Sequence, residues 1–282
     1  MAIPNLLTEA LATISQRLQA VGIVSFDAES EILLADFLGV SRGELTAMVL
    51  TGESRDLSQL EGLVRRREQR EPLQHITGKA PFRSVELQVG RGVFVPRFET
   101  EMVTQIGIDF LRSLPSAGRA VDVGTGSGAI AISLARETPA TVVAIEASEA
   151  AAEFARRNIE SLAPSVELIV GDFAAELPKQ ESLDLVISNP PYIPANAVPI
   201  DPEVRDHDPE LALYSGEDGL NAIRELAVVA QVPLRSGGLL VIEHADGQSD
   251  DVRELLLSEG WRSVSVHPDN TGRLRAVSAL RK

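Results

Sequence analysis

From residue 119 onward, short apolar segments alternate with stretches of helical character, and this alternation constrains the fold more than any other feature. Seven segments have the length and composition of buried strands: 120–123, 141–145, 166–170, 183–187, 239–243, 264–267 and 275–279. Most are separated by enough chain for a helix, which is typical of a parallel sheet covered by helices on both faces. The sequence therefore predicts an α/β fold for this part of the chain.

The first 72 or so residues show helical periodicity instead. Apolar residues over 6–21 recur at spacings of three and four, and a second apolar stripe covers 28–38. Ser41 followed by Glu44 predicts a capping box at the start of a third helix. A fourth helix is expected over 57–70. The pattern predicts a small helical bundle, whose expected role is docking or shaping of the substrate.

Residues 81–97 change character between these two parts. Val85, Leu87 and Val89 alternate with polar neighbours, glycines mark a turn over 90–92, and a second apolar segment follows at 93–95. This pattern predicts a β-hairpin. We therefore expect three parts: a helical N-terminal docking domain over 1–78, a β-hairpin linker over 79–100 and an α/β domain over 101–282.

Composition excludes several classes of protein. The chain has no cysteine, which excludes a disulfide framework, a thiolate zinc site and a cysteine nucleophile. No apolar run approaches the roughly 18 residues of a membrane span. A signal peptide is not visible at the N-terminus. The four histidines are scattered without ligand spacing, so no metal site is expected. The expected location is the cytoplasm.

The net charge of −15 argues against a protein that binds duplex nucleic acid, because such binding depends largely on neutralising phosphates. The one basic cluster comprises Arg65, Arg66 and Arg67 with Arg70. Charge runs of this kind are usually the solvated face of a helix, and we interpret this cluster so. No direct contact with nucleic acid is expected.

A glycine-rich loop lies between the first strand and the first helix of the α/β part, in the pattern Asp122-x-Gly124-x-Gly126-x-Gly128. Glycines let the backbone turn tightly and approach a ligand, and the following helix offers free N–H groups. Two cofactors fit the loop. A dinucleotide such as NAD fits the fingerprint Gly124-x-Gly126-x-x-Ala129, and S-adenosyl-L-methionine fits the acidic residue just before the glycines.

Three acidic residues follow successive strands. Asp122 suits the methionine ammonium of S-adenosylmethionine, and Glu146 suits the ribose hydroxyls of either cofactor. Asp172 suits the adenine amino group, with Phe173 packing on the ring. Ligands of open α/β sheets bind at the carboxyl ends of the strands, where all three acids are expected.

The fourth strand ends in Asn189-Pro190-Pro191-Tyr192. Two prolines fix the backbone and remove two N–H donors. The Asn189 side-chain oxygen and the Pro190 carbonyl then provide two acceptors, which suit a planar NH₂ group, and Tyr192 can stack on a flat group. The tetrapeptide is the signature of amino methyltransferases that act on an amide or exocyclic base nitrogen.

These motifs assign the candidate site. Asn189, Pro190 and Tyr192 are expected to be catalytic, and the whole tetrapeptide, including Pro191, is expected to bind the substrate. The residues expected to bind the cofactor are Asp122, Gly124, Thr125, Gly126, Ser127, Gly128, Glu146, Asp172, Phe173 and Asn189.

Taken together, the motifs resemble the HemK/PrmC family of protein-glutamine N5-methyltransferases. The resemblance covers nearly the whole chain, in segments 71–78, 95–101, 122–131, 189–193, 208–220 and 237–243. It implies a class I, Rossmann-like methyltransferase domain, a helical N-terminal domain and a hairpin linker. It also implies S-adenosyl-L-methionine as methyl donor and the glutamine of the Gly-Gly-Gln motif of class I peptide-chain release factors as acceptor. We expect a monomer.

The chain departs from the family pattern at several positions: Phe98, Glu146, Phe173 and the stretch His207-Asp208-Pro209. Two other substrates remain as alternatives. A sister family methylates a glutamine of a ribosomal protein, and DNA methyltransferases that modify adenine N6 share the tetrapeptide. DNA methylation would need a basic cleft for a flipped base, which the net charge of −15 disfavours.

Overall fold

A computed structural model describes residues 3–282. The chain forms two compact units. One comprises the N-terminal part up to Gly78 together with Pro199–His207, and the other comprises Lys79–Val198 and Asp208–Lys282. We call them the helical unit and the sheet unit.

The helices, in chain order, are α1 (Leu7–Ala20), α2 (Phe26–Leu38), α3 (Arg42–Leu50), α4 (Leu60–Glu68), α5 (Leu73–Thr77), α6 (Phe98–Ser113), α7 (Ala129–Glu137), α8 (Glu149–Leu162), α9 (Phe173–Glu176), α10 (Pro202–His207), α11 (Asn221–Val229) and α12 (Ser249–Ser258). The strands are β1 (Lys79–Phe82), β2 (Val85–Gln88), β3 (Arg119–Val123), β4 (Thr141–Glu146), β5 (Glu167–Val170), β6 (Leu183–Ser188), β7 (Leu234–Glu243), β8 (Arg262–Pro268) and β9 (Leu274–Leu280). A short 3₁₀ helix spans Glu210–Ala212.

The helical unit packs α1–α5 around an aliphatic core, in which Leu7, Ile14 and Leu33 are at most 1% exposed. The predicted capping box is present. The Ser41 hydroxyl accepts from the Glu44 amide, and the Glu44 carboxylate accepts from the Ser41 amide. The expected fourth helix is shorter than predicted, and a further short helix, α5, follows it.

Arg67 shows that the interpretation of the basic cluster as a solvated face was wrong at this position. Its side chain is 2% exposed and forms ion pairs with Glu29 and with Glu203 of α10. The reason lies in helical spacing, because Arg67 falls on the same side of α4 as the buried Leu60 and Val64. Through Glu203, this arginine ties the segment Pro199–His207 to the N-terminal helices.

In the sheet unit, each of the seven predicted strands is present. They form one sheet in the order β5-β4-β3-β6-β7-β9-β8. The first five are mutually parallel, as predicted, but β9 is antiparallel to both of its neighbours, so the sheet is mixed at this edge. The connection from β8 to β9 is a tight turn, which is too short for the crossover that a parallel pair needs.

The β-hairpin exists, and its strand β2 is the predicted first strand, but its partner is β1 rather than the expected segment 93–95. β1 pairs with β2 in the register Phe82↔Val85, and the turn contains Arg83 at φ 50°. Residues 93–95, the expected second strand, form no strand. Their alternating pattern has another cause, because Val93 and Val95 are buried in the apolar core of the sheet unit.

Two apolar clusters cover the two faces of the large sheet. Because strands β3–β7 are parallel to one another, their carboxyl ends all lie at one edge of the sheet.

No helix within residues 3–282 has both the length and the apolar character that crossing a membrane requires.

Candidate active site

Asp122, in β3, is the buried centre of the glycine-rich loop. Its Oδ2 accepts hydrogen bonds from the Thr125 hydroxyl at 2.5 Å and from the Ala131 amide at 3.0 Å. Its Oδ1 has no hydrogen-bond partner among the described residues. Burial raises the pKa of Asp122 to about 7, although both hydrogen bonds lower it, and the nearby Glu146 raises it further. One oxygen thus holds the loop, and the other retains its full capacity to accept hydrogen bonds.

Glu146 ends β4 and holds the same loop from the neighbouring strand. Its Oε2 accepts from the Gly126 amide at 2.8 Å, and its Oε1 accepts from the Ser148 amide at 2.8 Å. The residue is 8% exposed. A carboxylate oxygen has two lone pairs, so each oxygen retains acceptor capacity after one bond.

The three glycines of the loop all have positive φ, but they serve different purposes. A Cβ added to Gly124 or Gly126 would meet no atom within 4 Å, so the backbone there is open to a ligand. A Cβ on Gly128 would lie 3.0 Å from Ile132 Cδ1, so this glycine permits close packing at the start of α7. Thr125 and Ser127, between the glycines, are buried.

Asp172 and Phe173 follow β5 at the same edge of the sheet. The Asp172 carboxylate accepts from the Ala174 amide at 2.8 Å, which makes it the N-cap of α9. Asp172 is exposed, whereas Phe173 is half-buried against the core. The amide of Gly171 donates to the Glu146 carbonyl at 2.8 Å, which fixes this turn beside β4.

Asn189-Pro190-Pro191-Tyr192 begins directly after β6, which lies next to β3. Ser188 donates to the Val123 carbonyl at 2.7 Å and joins the ends of these two strands. The Asn189 Nδ2 donates to the Thr100 hydroxyl of α6 at 3.2 Å. This bond uses one of the two Nδ2 protons, and the Asn189 Oδ1 remains available as an acceptor.

Pro190 is buried, and Pro191 and Tyr192 are half-buried. The Tyr192 carbonyl accepts from Gln248 Nε2 at 3.0 Å, which anchors the end of the tetrapeptide. Burial raises the pKa of the Tyr192 hydroxyl, so it stays protonated at neutral pH. Its side chain packs against the apolar core of the sheet unit.

Two residues beside the tetrapeptide had no role assigned from the sequence. Thr100 lies in the first turn of α6, and Glu243 ends β7. Both lie in segments that carry the resemblance to the family, but neither the residue type nor its spacing in the sequence marked them as site residues. Glu243 is 2% exposed, and burial raises its pKa to about 7. The nearby hydroxyls of Thr100 and Tyr192 lower the Glu243 pKa and so oppose part of that shift.

The structure therefore joins Asp122, the glycine loop and Glu146 directly by hydrogen bonds. Asn189 lies at the end of the next strand, and Asp172 lies beyond Glu146 on the other side; neither bonds to the loop side chains within the described part of the chain. Within residues 3–282, no group of three or more His, Asp or Glu side chains is arranged to hold a metal ion.

The chain matches two families along its length: the PrmC N-terminal domain over residues 9–78 and the Methyltransferase small domain over residues 87–201. It is 48% identical to a release factor glutamine methyltransferase of Streptomyces coelicolor, with 98% of each chain covered. The protein of that name from Mycolicibacterium smegmatis is 41% identical, again over 98% of each chain.

Among solved structures, a ribosomal protein L11 methylase from Lactobacillus delbrueckii subsp. bulgaricus has a TM-score of 0.50 to this chain. The match covers 70% of this chain and 84% of that one, at 18% sequence identity. At that identity the likeness concerns the fold alone.

Proposed function

The chain belongs to the family of release factor glutamine methyltransferases, and from this premise we propose its reaction in detail. It transfers a methyl group from S-adenosyl-L-methionine to the side-chain amide nitrogen, N5, of a glutamine. That glutamine is the one in the Gly-Gly-Gln motif of class I peptide-chain release factors. The enzyme acts as a monomer in the cytoplasm and does not bind nucleic acid directly, which its net charge of −15 supports.

The residues of the glycine loop fit the methyl donor. The unpartnered, buried Oδ1 of Asp122 suits the ammonium group of the methionine part. The open backbone at Gly124 and Gly126 suits close approach of a ligand, and the remaining lone pairs of Glu146 suit the ribose hydroxyls. When bound, S-adenosylmethionine supplies an electrophilic methyl group on a cationic sulfur.

Two further residues complete the proposed cofactor site. Asp172 accepts from the adenine amino group, and Phe173 packs on the adenine ring. Their support is positional, since both follow β5 at the edge where Glu146 ends β4. Thr125 and Ser127 contribute to the proposed cofactor site through their backbone, because their side chains are buried.

One observation carries the assignment of the acceptor: the Asn189 Nδ2 is held by Thr100, so Oδ1 is the free acceptor of the amide. This oxygen and the Pro190 carbonyl accept the two N–H groups of the substrate amide. An amide nitrogen is a poor nucleophile because its lone pair is delocalised. Two preorganised acceptors draw electron density toward that nitrogen and orient its lone pair.

Tyr192 and Pro191 hold the substrate amide in place. The Tyr192 side chain packs against the core, and the residue is fixed through its carbonyl by Gln248, which suits its ring to support a planar group. With its pKa raised by burial, Tyr192 is not a base. The N–H protons become more acidic as the nitrogen attacks, so Asn189 stabilises the transition state more than the ground state.

The helical unit docks the protein substrate in this proposal. Val24 and Leu50 support the role, because these apolar side chains are 93% and 82% exposed. A variant with both Val24→Ser and Leu50→Ser should raise the KM for the release factor without changing cofactor affinity. Val228→Ser, at an exposed valine of the sheet unit, is the matched control. An unchanged KM in the double variant excludes docking at these side chains.

The reaction itself is tested by incubating the full chain with methyl-labelled S-adenosylmethionine and three separate acceptors: a class I release factor, ribosomal protein and DNA. We expect label only in the release factor, and mass spectrometry should place it on the Gly-Gly-Gln glutamine. A release factor with that glutamine changed to alanine is the control. Label in ribosomal protein or DNA instead would replace this assignment by the corresponding alternative.

A further inference from the structure

Glu243 is a buried carboxyl group that the reaction described so far does not use. The register of the sheet aligns Ser188 of β6 with Ile242 of β7. Asn189 and Glu243 are the next residues along these two segments, so they come side by side at the ends of adjacent strands. Glu243 is 2% exposed, and its Oε2 has no hydrogen-bond partner among residues 3–282. A buried carboxylate at this position is costly and calls for a physical reason.

Thr100 lies between the two side chains. It is 4% exposed, and its Oγ1 accepts a hydrogen bond from the Asn189 Nδ2 at 3.2 Å. The Thr100 hydroxyl also lies near enough to the Glu243 carboxyl to lower its pKa, and its own proton is not used in the bond with Asn189. These placements let the three side chains act as a relay from the end of β7, through α6, to the end of β6.

The relay resolves an ambiguity at Asn189. A side-chain amide has an oxygen acceptor at one position and an NH₂ donor at the other, and rotation by half a turn exchanges them. A threonine hydroxyl is both donor and acceptor, so alone it pairs equally with either end. An ionised carboxylate only accepts. The carboxylate accepts a hydrogen bond from the Thr100 hydroxyl, so the Thr100 lone pairs remain to accept from the Asn189 Nδ2. The Asn189 Oδ1 is thereby directed outward.

We propose that Glu243 is a positioning residue that acts through the Thr100 hydroxyl to fix the side-chain oxygen of Asn189 toward the acceptor amide. The inference rests on the proposed function, because the outward Oδ1 matters only where a substrate N–H must be bound. A flipped Asn189 would present its NH₂ group to the NH₂ group of the substrate, and both would be donors.

The charge of Glu243 then controls the relay. A protonated carboxyl can donate as well as accept, so the Thr100 hydroxyl can then act as either donor or acceptor toward it. Burial raises the pKa of Glu243 to about 7, and the charge of Glu99 raises it further, while Thr100, Arg275 and Tyr192 lower it. The direction of the hydrogen bonds at Thr100 is therefore fixed above neutral pH, where Glu243 is ionised, and is no longer fixed below it.

The first test compares Thr100→Val with Thr100→Ser in the full chain. Valine has nearly the same shape as threonine but no hydroxyl, whereas serine keeps the hydroxyl. We expect Thr100→Val to lower kcat about tenfold, the effect of losing one hydrogen bond in the transition state, with the KM for S-adenosylmethionine unchanged. Thr100→Ser should restore most of kcat. Wild-type kcat in Thr100→Val, or equal losses in both folded variants, would overturn the proposal.

The second test uses Glu243→Gln, which stays neutral at every pH but keeps a carbonyl acceptor. In the wild-type enzyme we expect kcat to rise with pH through about 7, since the ionised form of Glu243 is the active one. Glu243→Gln should retain partial activity and lose that rise. A kcat profile that keeps the same rise in Glu243→Gln assigns the titration to another group and contradicts the proposal.

The third test does not depend on activity. The side-chain amide signals of Asn189 are observed by ¹⁵N NMR in the full chain without substrate, and they are assigned by their loss in Asn189→Ala. They should shift with pH around neutrality in the wild-type protein and stay constant in Glu243→Gln. Constant signals in the wild-type protein refute the relay even if the enzyme methylates release factors. A shifting signal in a protein that does not methylate them refutes the proposed function alone.

Discussion

Glu146 and Gly126 are joined by one hydrogen bond of 2.8 Å, in which a carboxylate at the end of β4 accepts the amide proton of the loop after β3. The bond fixes the loop in the conformation that its positive φ angles require. It also explains why an acidic residue belongs at this position before any ligand binds. The side chain proposed to hold the ribose is the one that builds the loop.

The first prediction concerns Gly126→Val. Gly126 has φ +58°, and its Cβ would point into space with no atom within 4 Å, where the cofactor is proposed to lie. The substitution should abolish binding of S-adenosylmethionine in calorimetry. Gly39→Val is the matched control, because Gly39 has φ +67°, an equally open Cβ direction, and a place in the helical unit. Loss of binding in both variants would point to backbone strain rather than to an occupied site.

The second prediction concerns the stability of the fold and the charge of Asp122. The folded state holds the Asp122 proton more tightly than the unfolded chain, since burial raises the pKa from 3.8 to about 7. The carboxyl therefore favours folding at low pH, and this contribution is lost as the pH rises from about 4 to about 7.

Asp122→Asn removes that titration and keeps an acceptor for Thr125 and the Ala131 amide. We expect its melting temperature, relative to the wild type, to rise as the pH increases across this interval. Cofactor affinity should fall, because the charge proposed to bind the methionine ammonium is gone. A melting-temperature difference that does not vary with pH would show that folding does not raise the pKa of Asp122.

The elements of the sheet followed from hydrophobic runs, because strands buried on both faces leave an unbroken apolar signal. The first five parallel strands also brought the predicted acids to one edge. The hairpin was misplaced, since the turn at Arg83 has none of the glycine or asparagine residues that mark positive φ. Burial of Val93 and Val95 imitated the alternation of a strand.

Within the site, the sequence identified residues that carry a distinctive motif and missed those that act through a neighbour. Thr100 and Glu243 lie more than a hundred residues apart in the chain, and only the register of β6 and β7 with the packing of α6 brings them to Asn189. Arg67 was different, because its spacing from Leu60 and Val64 already indicated the buried face of α4.

The third prediction concerns Arg67→Met. The arginine is 2% exposed and pairs with Glu29 and Glu203, which are themselves largely buried. Removing one partner of a buried ion pair typically costs about 3–5 kcal/mol, because the remaining charge stays buried without compensation. We expect a loss of that size in the free energy of unfolding, measured by urea denaturation.

Arg65→Met is the control for Arg67→Met. Arg65 lies on the same helix, its side chain is 70% exposed, and it pairs with Glu61 one turn earlier. Exposed pairs of this kind contribute about 0.3–0.5 kcal/mol. Equal losses in the two variants would contradict a buried structural role for Arg67.

The last prediction concerns Asn189, whose Oδ1 is proposed to accept a substrate proton that becomes more acidic as the nitrogen attacks. The loss of one preorganised contact of this kind costs roughly 10²–10³ in rate by analogy with oxyanion-hole donors. Asn189→Ala should therefore reduce kcat on the release factor by about that factor while S-adenosylmethionine binding changes little.

Asn196→Ala is the control, since Asn196 is exposed and lies seven residues further along the same connection. Asn189→Asp separates two parts of the role: it keeps acceptor oxygens but removes the Nδ2 that donates to Thr100, and it adds a second carboxyl near Glu243. We expect it to be impaired as well, because acceptor oxygens alone do not preserve the hydrogen bond that orients them. Near-full turnover by Asn189→Ala, with the methyl group still on the Gly-Gly-Gln glutamine, would remove Asn189 from the catalytic residues.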